Sequence, residues 1–141
     1  MLNKLFVPMV ILLAGCATQA TQPAPKRLQA IEANNRAATL FARGDTAGAI
    51  ALYRQALDVE RSVEHEDGIA ANLINLSIAY QRSGDARSAY AALAEVLEPG
   101  AIAFPPRRVA EAALRDSILR LDGGDAEAGT RALERARSAC P

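Results

Sequence analysis

The dipeptide Gly-Asp occurs at Gly44-Asp45, Gly84-Asp85 and Gly124-Asp125, at a constant interval of 40 residues in a chain of 141. The flanks recur in the same phase. Seven residues before each glycine stands a small side chain (Ala37, Ser77, Ser117), and five after it another (Ala49, Ala89, Gly129). Nine after come the bulky Tyr53, Leu93 and Leu133, and twelve after come Ala56, Val96 and Ala136. A self-similar period of this length marks stacked units, none of which buries its apolar faces alone.

The local chemistry says what each unit is. Glycine suits the left-handed residue that ends a helix, and the aspartate after it caps the next helix by accepting from unpaired backbone N–H groups. Half of the residues are hydrophobic but only 4% are aromatic, so alanine and leucine carry the apolar content, as in closely packed helices. The small residues flanking each Gly-Asp fall where two antiparallel helices cross, letting the axes approach to about 8–10 Å. Six helices are therefore predicted, over 26–43, 45–62, 66–83, 85–98, 106–123 and 125–139. Glu64, Glu66 and Asp67 suit the positive start of the third. Glu98-Pro99-Gly100 stops the fourth, and Pro105-Pro106 starts the fifth, where a missing N–H costs nothing. Ile102 and Phe104 are expected to tuck under the intervening loop. Arg131, Glu134, Arg135 and Arg137 give the last helix a charged side.

The N-terminus has a different character. Lys4 precedes an apolar run from Leu5 to Leu13, and the run ends in Leu13-Ala14-Gly15-Cys16. That run is shorter than the roughly 20 residues needed to span a bilayer. The pattern resembles a bacterial lipoprotein signal. The resemblance implies that residues 1–15 are removed and that Cys16 is acylated. Two or more acyl chains anchor stably, each buried methylene contributing about 0.8 kcal/mol. Ala17 in place of an aspartate is similar to the default address of the cell outer membrane, facing the periplasm. Residues 16–25, with two prolines and no periodicity, then read as the lipidated cysteine and a flexible tether of up to roughly 30 Å.

Residues 26–141 resemble the tetratricopeptide repeat (TPR) family. The likeness rests on the small-residue columns, on Tyr53, Leu93 and Leu133, on the Ala/Val column, and on Tyr80 four residues before Gly84. It implies an all-α fold: a right-handed superhelical stack of three helix–turn–helix repeats. The departures are the period, 40 residues here against 34 in the family, and Asp116 and Arg120 where the family prefers apolar residues. By the same resemblance, the first helix of each unit lines a groove for a peptide or a partner helix. The groove candidates are Asn34 and Phe41 in the first unit, Ile74, Asn75, Ile78 and Gln81 in the second, and Leu114, Arg115 and Ile118 in the third. Asn75 and Arg115 are similar to two members of the family's five-residue carboxylate clamp. Asn34, Ala38 and Glu111 stand where that clamp has lysine, asparagine and lysine, which argues against carboxyl-terminal capture and for a mixed apolar and polar groove. The isoleucines and leucines have a plainer reading as packing between repeats.

Charge and motifs narrow the function. Sixteen basic residues balance sixteen acidic ones, so no basic field for nucleic acid is expected. The sequence has one histidine, no Gly-x-Ser-x-Gly, no His-Glu-x-x-His and no phosphate-binding glycine loop, so neither an enzyme nor a small-molecule substrate is expected. His65, in Val63-Glu-His-Glu-Asp67, has no second ligand at metal spacing, and no metal or cofactor is expected. Cys140 is the one thiol left once Cys16 is acylated; it reads as a small apolar residue, with a cross-link to another chain as the alternative. The expectation is a membrane-anchored scaffold for protein partners in the cell envelope. The lipoprotein resemblance suggests an assembly role, as a pilotin for a secretin or pilus or as an adaptor of peptidoglycan enzymes. The alternative is an obligate structural subunit of a larger membrane-associated complex.

Overall fold

The computed structural model describes residues 25–98 and 100–139. The expectations about the leader, Cys16, the tether up to residue 24 and Cys140 lie outside the described residues. Within them the chain is all-α, with six helices: α1 Pro25–Ala42, α2 Thr46–Ser62, α3 Glu66–Arg82, α4 Ala86–Leu97, α5 Pro106–Asp122 and α6 Ala126–Ala139. Each helix packs on the next, and α5 also packs on α3. The result is three helical hairpins stacked side by side, a TPR-like arrangement.

The Gly-Asp turns do what their chemistry demands. Gly44, Gly84 and Gly124 have φ of 88°, 81° and 84°, a region that penalises a β-carbon. Asp45 Oδ1 then accepts from Gly48 N at 2.9 Å, Asp85 Oδ1 from Ser88 N at 3.0 Å, and Asp125 Oδ1 from Ala128 N at 2.9 Å. Hydrogen bonding from Ser88, its side chain first and then its backbone N–H, holds the Asp85 carboxyl below the usual range. A fourth turn of the same kind joins α2 to α3 without glycine: Glu64 takes the left-handed φ of 51° and His65 follows it. Sequence alone placed acidic residues at this helix start; the capping position belongs to His65.

The core follows the repeat columns. Ala37, Ala49, Ala89, Ser77, Ser117 and Gly129 are buried at the hairpin crossings, and Tyr53 and Leu93 fill the space beside them. A β-carbon on Gly129 would stand 2.8 Å from Leu121 Cγ and 3.3 Å from Ser117 O, so the α5–α6 crossing has no room for one. Leu133 and Ala136 are only half-buried, because among the described residues no helix covers that side of α6. Pro105 caps α5 and Pro106 is its first residue, as predicted. Of the two loop residues, Phe104 packs against the core, whereas Ile102 is exposed; a short loop brings one side chain to the hairpins and turns its neighbour outward.

Candidate binding face

The first helices of the three hairpins, α1, α3 and α5, lie side by side, and the bonds between them share one register. Asn75 Nδ2 donates to Asn34 Oδ1 at 3.0 Å, and Arg82 Nη1 to the Phe41 carbonyl at 2.8 Å. Gln81 Nε2 donates to Asp122 Oδ2 at 2.7 Å, and Arg108 reaches Asp67. Every one of these pairs is 41 residues apart. One unit plus one residue is the offset at which neighbouring first helices meet.

That register sorts the nine groove candidates. Asn34, Phe41, Asn75 and Gln81 are engaged in the joints, with the Arg82 guanidinium 4.1 Å from the centre of the Phe41 ring. Ile74 is partly buried against the core and Ile78 is half-buried. Leu114 and Ile118 remain 47% and 39% exposed. Arg115 is the odd member. The 41-residue offset sets it against Ile74, at the place where Asn75 meets Asn34. It makes no hydrogen bond, its Nε is enclosed without a partner, and burial pushes its guanidinium below the ordinary arginine range. The open part of the face is thus Ile78, Leu114, Arg115 and Ile118, and Arg115 is its cation, with an Nε lacking an acceptor and the Asp122 carboxylate near enough to favour its charge.

Three polar assemblies escaped the sequence reading. The first ties α3 to α5. Arg108 grips Asp67 with both arms of its guanidinium, Nε to Oδ1 at 3.0 Å and Nη2 to Oδ2 at 3.1 Å, while Nη1 donates to Glu111 at 2.6 Å and Arg107 adds a further contact to Asp67. The Arg108 hydrogen bonds hold the Asp67 carboxyl below its usual range, and the same bonds hold Arg108 firmly protonated. The second lies between α2 and α3. Glu60 is buried, and its Oε2 is 2.8 Å from His65 Nδ1, which is also 3.2 Å from Gly68 N. One nitrogen cannot donate to the first and accept from the second; the shorter contact, to a carboxylate, is the one we assign, with Nδ1–H donating. A β-carbon on Gly68 would overlap the Glu60 carboxyl, so that glycine is a space requirement. In the third, Asp116 is buried and accepts from Arg120 Nε at 2.8 Å, with the guanidinium 5.3 Å from the Tyr90 ring centre. The two residues that depart from the family pattern therefore satisfy each other. The signal that would have found the first assembly is the 41-residue offset, applied to charged residues.

An open cleft of about 350 Å³ runs between α4, α5 and α6 and includes Tyr90, Ala94, Asp116 and Arg120. Among the described residues no three metal-ligating side chains converge, and no helix is long and apolar enough to cross a membrane. Residues 29–98 match the tetratricopeptide repeat family. No curated protein and no solved structure matches the chain. The match spans α1 to α4, and the third hairpin repeats the same Gly-Asp turn and crossing outside it. The segment from 29 to 98 is thus similar to tetratricopeptide repeats, and the six helices together form a TPR-like stack.

Proposed function

We propose that this protein is a lipid-anchored envelope scaffold that holds a protein partner on the open face of its first helices, in aid of assembling an envelope machine. Tetratricopeptide repeats suggest a protein-interaction scaffold, the coarse part of this reading. The observation that carries the finer part is Arg115, a half-buried side chain whose enclosed Nε has no acceptor, beside the exposed Leu114 and Ile118. A desolvated cation lacking a hydrogen-bond partner is costly in the free protein, and a partner carboxylate or carbonyl relieves that cost. The apolar neighbours then exclude water around the contact. The anchor rests on the Leu13-Ala14-Gly15-Cys16 pattern, and the outer-membrane address on Ala17. Pilotin-like and peptidoglycan-enzyme adaptor roles both fit this scaffold.

Two measurements test it. Mass spectrometry of the processed chain should find an acylated Cys16, and Cys16→Ser should release the protein from membranes; an unmodified terminus sinks the anchor. Cross-linked pulldown from envelopes should lose the partner with Leu114→Ala plus Arg115→Ala while helical circular dichroism is unchanged. Undiminished recovery removes the face from the proposal. The alternative, an obligate subunit of a larger complex, is favoured by the apolar residues left uncovered on α5, and predicts aggregation of the chain purified alone.

A further inference from the structure

Asp116 and Arg120 break the pattern of the repeat. Forty residues earlier the same positions hold Leu76 and Tyr80, both buried in the core. Asp116 is buried as well, and it accepts from Arg120 Nε at 2.8 Å. Stability alone does not call for this pair, since replacing a buried ion pair with apolar side chains is commonly neutral or stabilising. Departures of this kind from a local rule concentrate at functional sites. The pair also lies where the surface opens. It lines the cleft of about 350 Å³ between α4, α5 and α6, and an adjoining one of about 260 Å³ between α5 and α6.

The first joint has a counterpart cleft of about 360 Å³, with Ala91 and Glu95 on its α4 side. Its arginines are already engaged: Arg54 Nε donates to Tyr80 Oη at 2.8 Å, and Arg61 pairs with Glu95 at 2.6 Å. At the second joint Ala91 and Glu95 become Arg131 and Arg135 on α6, and both line the cleft. Three guanidiniums thus border one space, against the carboxylates of Glu98 and of Asp116, which Arg120 occupies. Arg120 is set in place for a ligand. Asp116 fixes its Nε and keeps it protonated, and the Tyr90 ring lies beside it. Among the described residues its Nη nitrogens and the whole Arg135 guanidinium make no hydrogen bond, and Arg131 pairs only with Glu127, whose side chain is 87% exposed. We infer that this cleft binds a phosphomonoester. A phosphate group brings up to two negative charges and three acceptor oxygens, enough for several guanidiniums at once, where a carboxylate has only two oxygens. The wall of Tyr90, Ala94 and Leu97 takes the organic part of the ester. The cleft shares no residue with the open face of the first helices, so the two sites stand or fall separately.

The test is isothermal calorimetry on the full-length chain in nonionic detergent. One arm titrates glycerol 3-phosphate, and the other titrates short-chain phosphatidic acid in the micelle, with phosphatidylglycerol as the anionic diester for comparison. Saturable binding of glycerol 3-phosphate assigns the site to a soluble ester, and saturable binding of phosphatidic acid alone assigns it to a lipid headgroup; both support the inference. Because Arg120→Ala strands a buried carboxylate, the exposed Arg131 and Arg135 carry the test. Arg135→Ala should weaken binding by about 10-fold, as loss of a charge-assisted hydrogen bond implies, and Arg135→Lys should recover part of it. Arg43→Ala, which removes the same charge outside the cleft, should leave binding unchanged. No saturable heat from either ester at millimolar concentration, equally tight binding of phosphatidylglycerol, an equal loss in Arg43→Ala, or undiminished binding in the Arg131→Ala plus Arg135→Ala chain would each overturn the inference.

Discussion

The two joints between hairpins are built on the same 41-residue offset and held by different chemistry. Between the first and second hairpins, α1 meets α3 through a neutral amide pair, Asn34 with Asn75, and a guanidinium lying over Phe41. There the connecting turn is tight, and buried Glu60 sits against Gly68. Between the second and third, α3 meets α5 through the two-armed Asp67–Arg108 pair, with Arg107 and Glu111 around it. The connection is the longer loop before Pro106. Geometry was duplicated along this chain and contact chemistry was not. The first joint joins its neutral bonds to an exposed ion pair, Arg61 with Glu95, whereas the second is anchored by the more buried Asp67–Arg108 pair, so the second should answer more strongly to salt and pH.

The largest expected effect attacks the shape of the first joint. Gly68→Ala places a β-carbon on the Glu60 carboxyl and should destabilise the fold by about 1–3 kcal/mol, the usual cost of overpacking, read by thermal or urea denaturation. An unchanged midpoint would mean that Glu60 moves aside freely. Next comes the charged joint: Arg108→Ala should cost about 1 kcal/mol at low salt, since bidentate pairs exceed ordinary surface pairs. Most of that loss should vanish in about 1 M salt, where screening acts within roughly 3 Å. Asn75→Ala should cost a similar or smaller amount, about 0.5–1 kcal/mol for a neutral bond, and salt should leave it unaltered. A salt-dependent Asn75 effect would erase the contrast between the joints.

The pH dependence follows from Asp67. Its carboxyl is held below the ordinary value of 3.8, so the folded state binds its proton less readily than the unfolded chain. The contribution is therefore present above that ordinary value and is lost as pH falls through the depressed folded value. Hydrogen exchange across α5 should accelerate in this acid range relative to α1, and Asp67→Asn should abolish the difference. Smallest of all is Glu64→Gly, which relieves a left-handed residue and should stabilise by up to about 1 kcal/mol.

Much of the fold was legible in the residues. Three glycines at a fixed interval marked three left-handed turns, the aspartates marked three caps, and the small columns marked the crossings. Helix ends agree with expectation to within one or two residues. The binding face was less legible. Asn34, Asn75 and Gln81 stood out because polar residues on a helix face invite a ligand, yet each of them bonds to a neighbouring helix. Sequence periodicity gives the direction of a side chain around its own helix, not the distance to the next helix. His65 was similarly opaque, because its place at the helix start and its Glu60 partner depend on how α2 turns into α3.

Taken alone, the order of amino acids determined the number of units, their turns and the residues that cross closely, because these depend on backbone preference and side-chain volume within about 40 neighbouring positions. Only the tertiary structure decided which polar groups are spent holding hairpins together and which, like Arg115, are left without an acceptor. The 41-residue offset between neighbouring first helices arises from how whole hairpins pack, and hydrogen bonding is too short-ranged to be assigned before that packing is known.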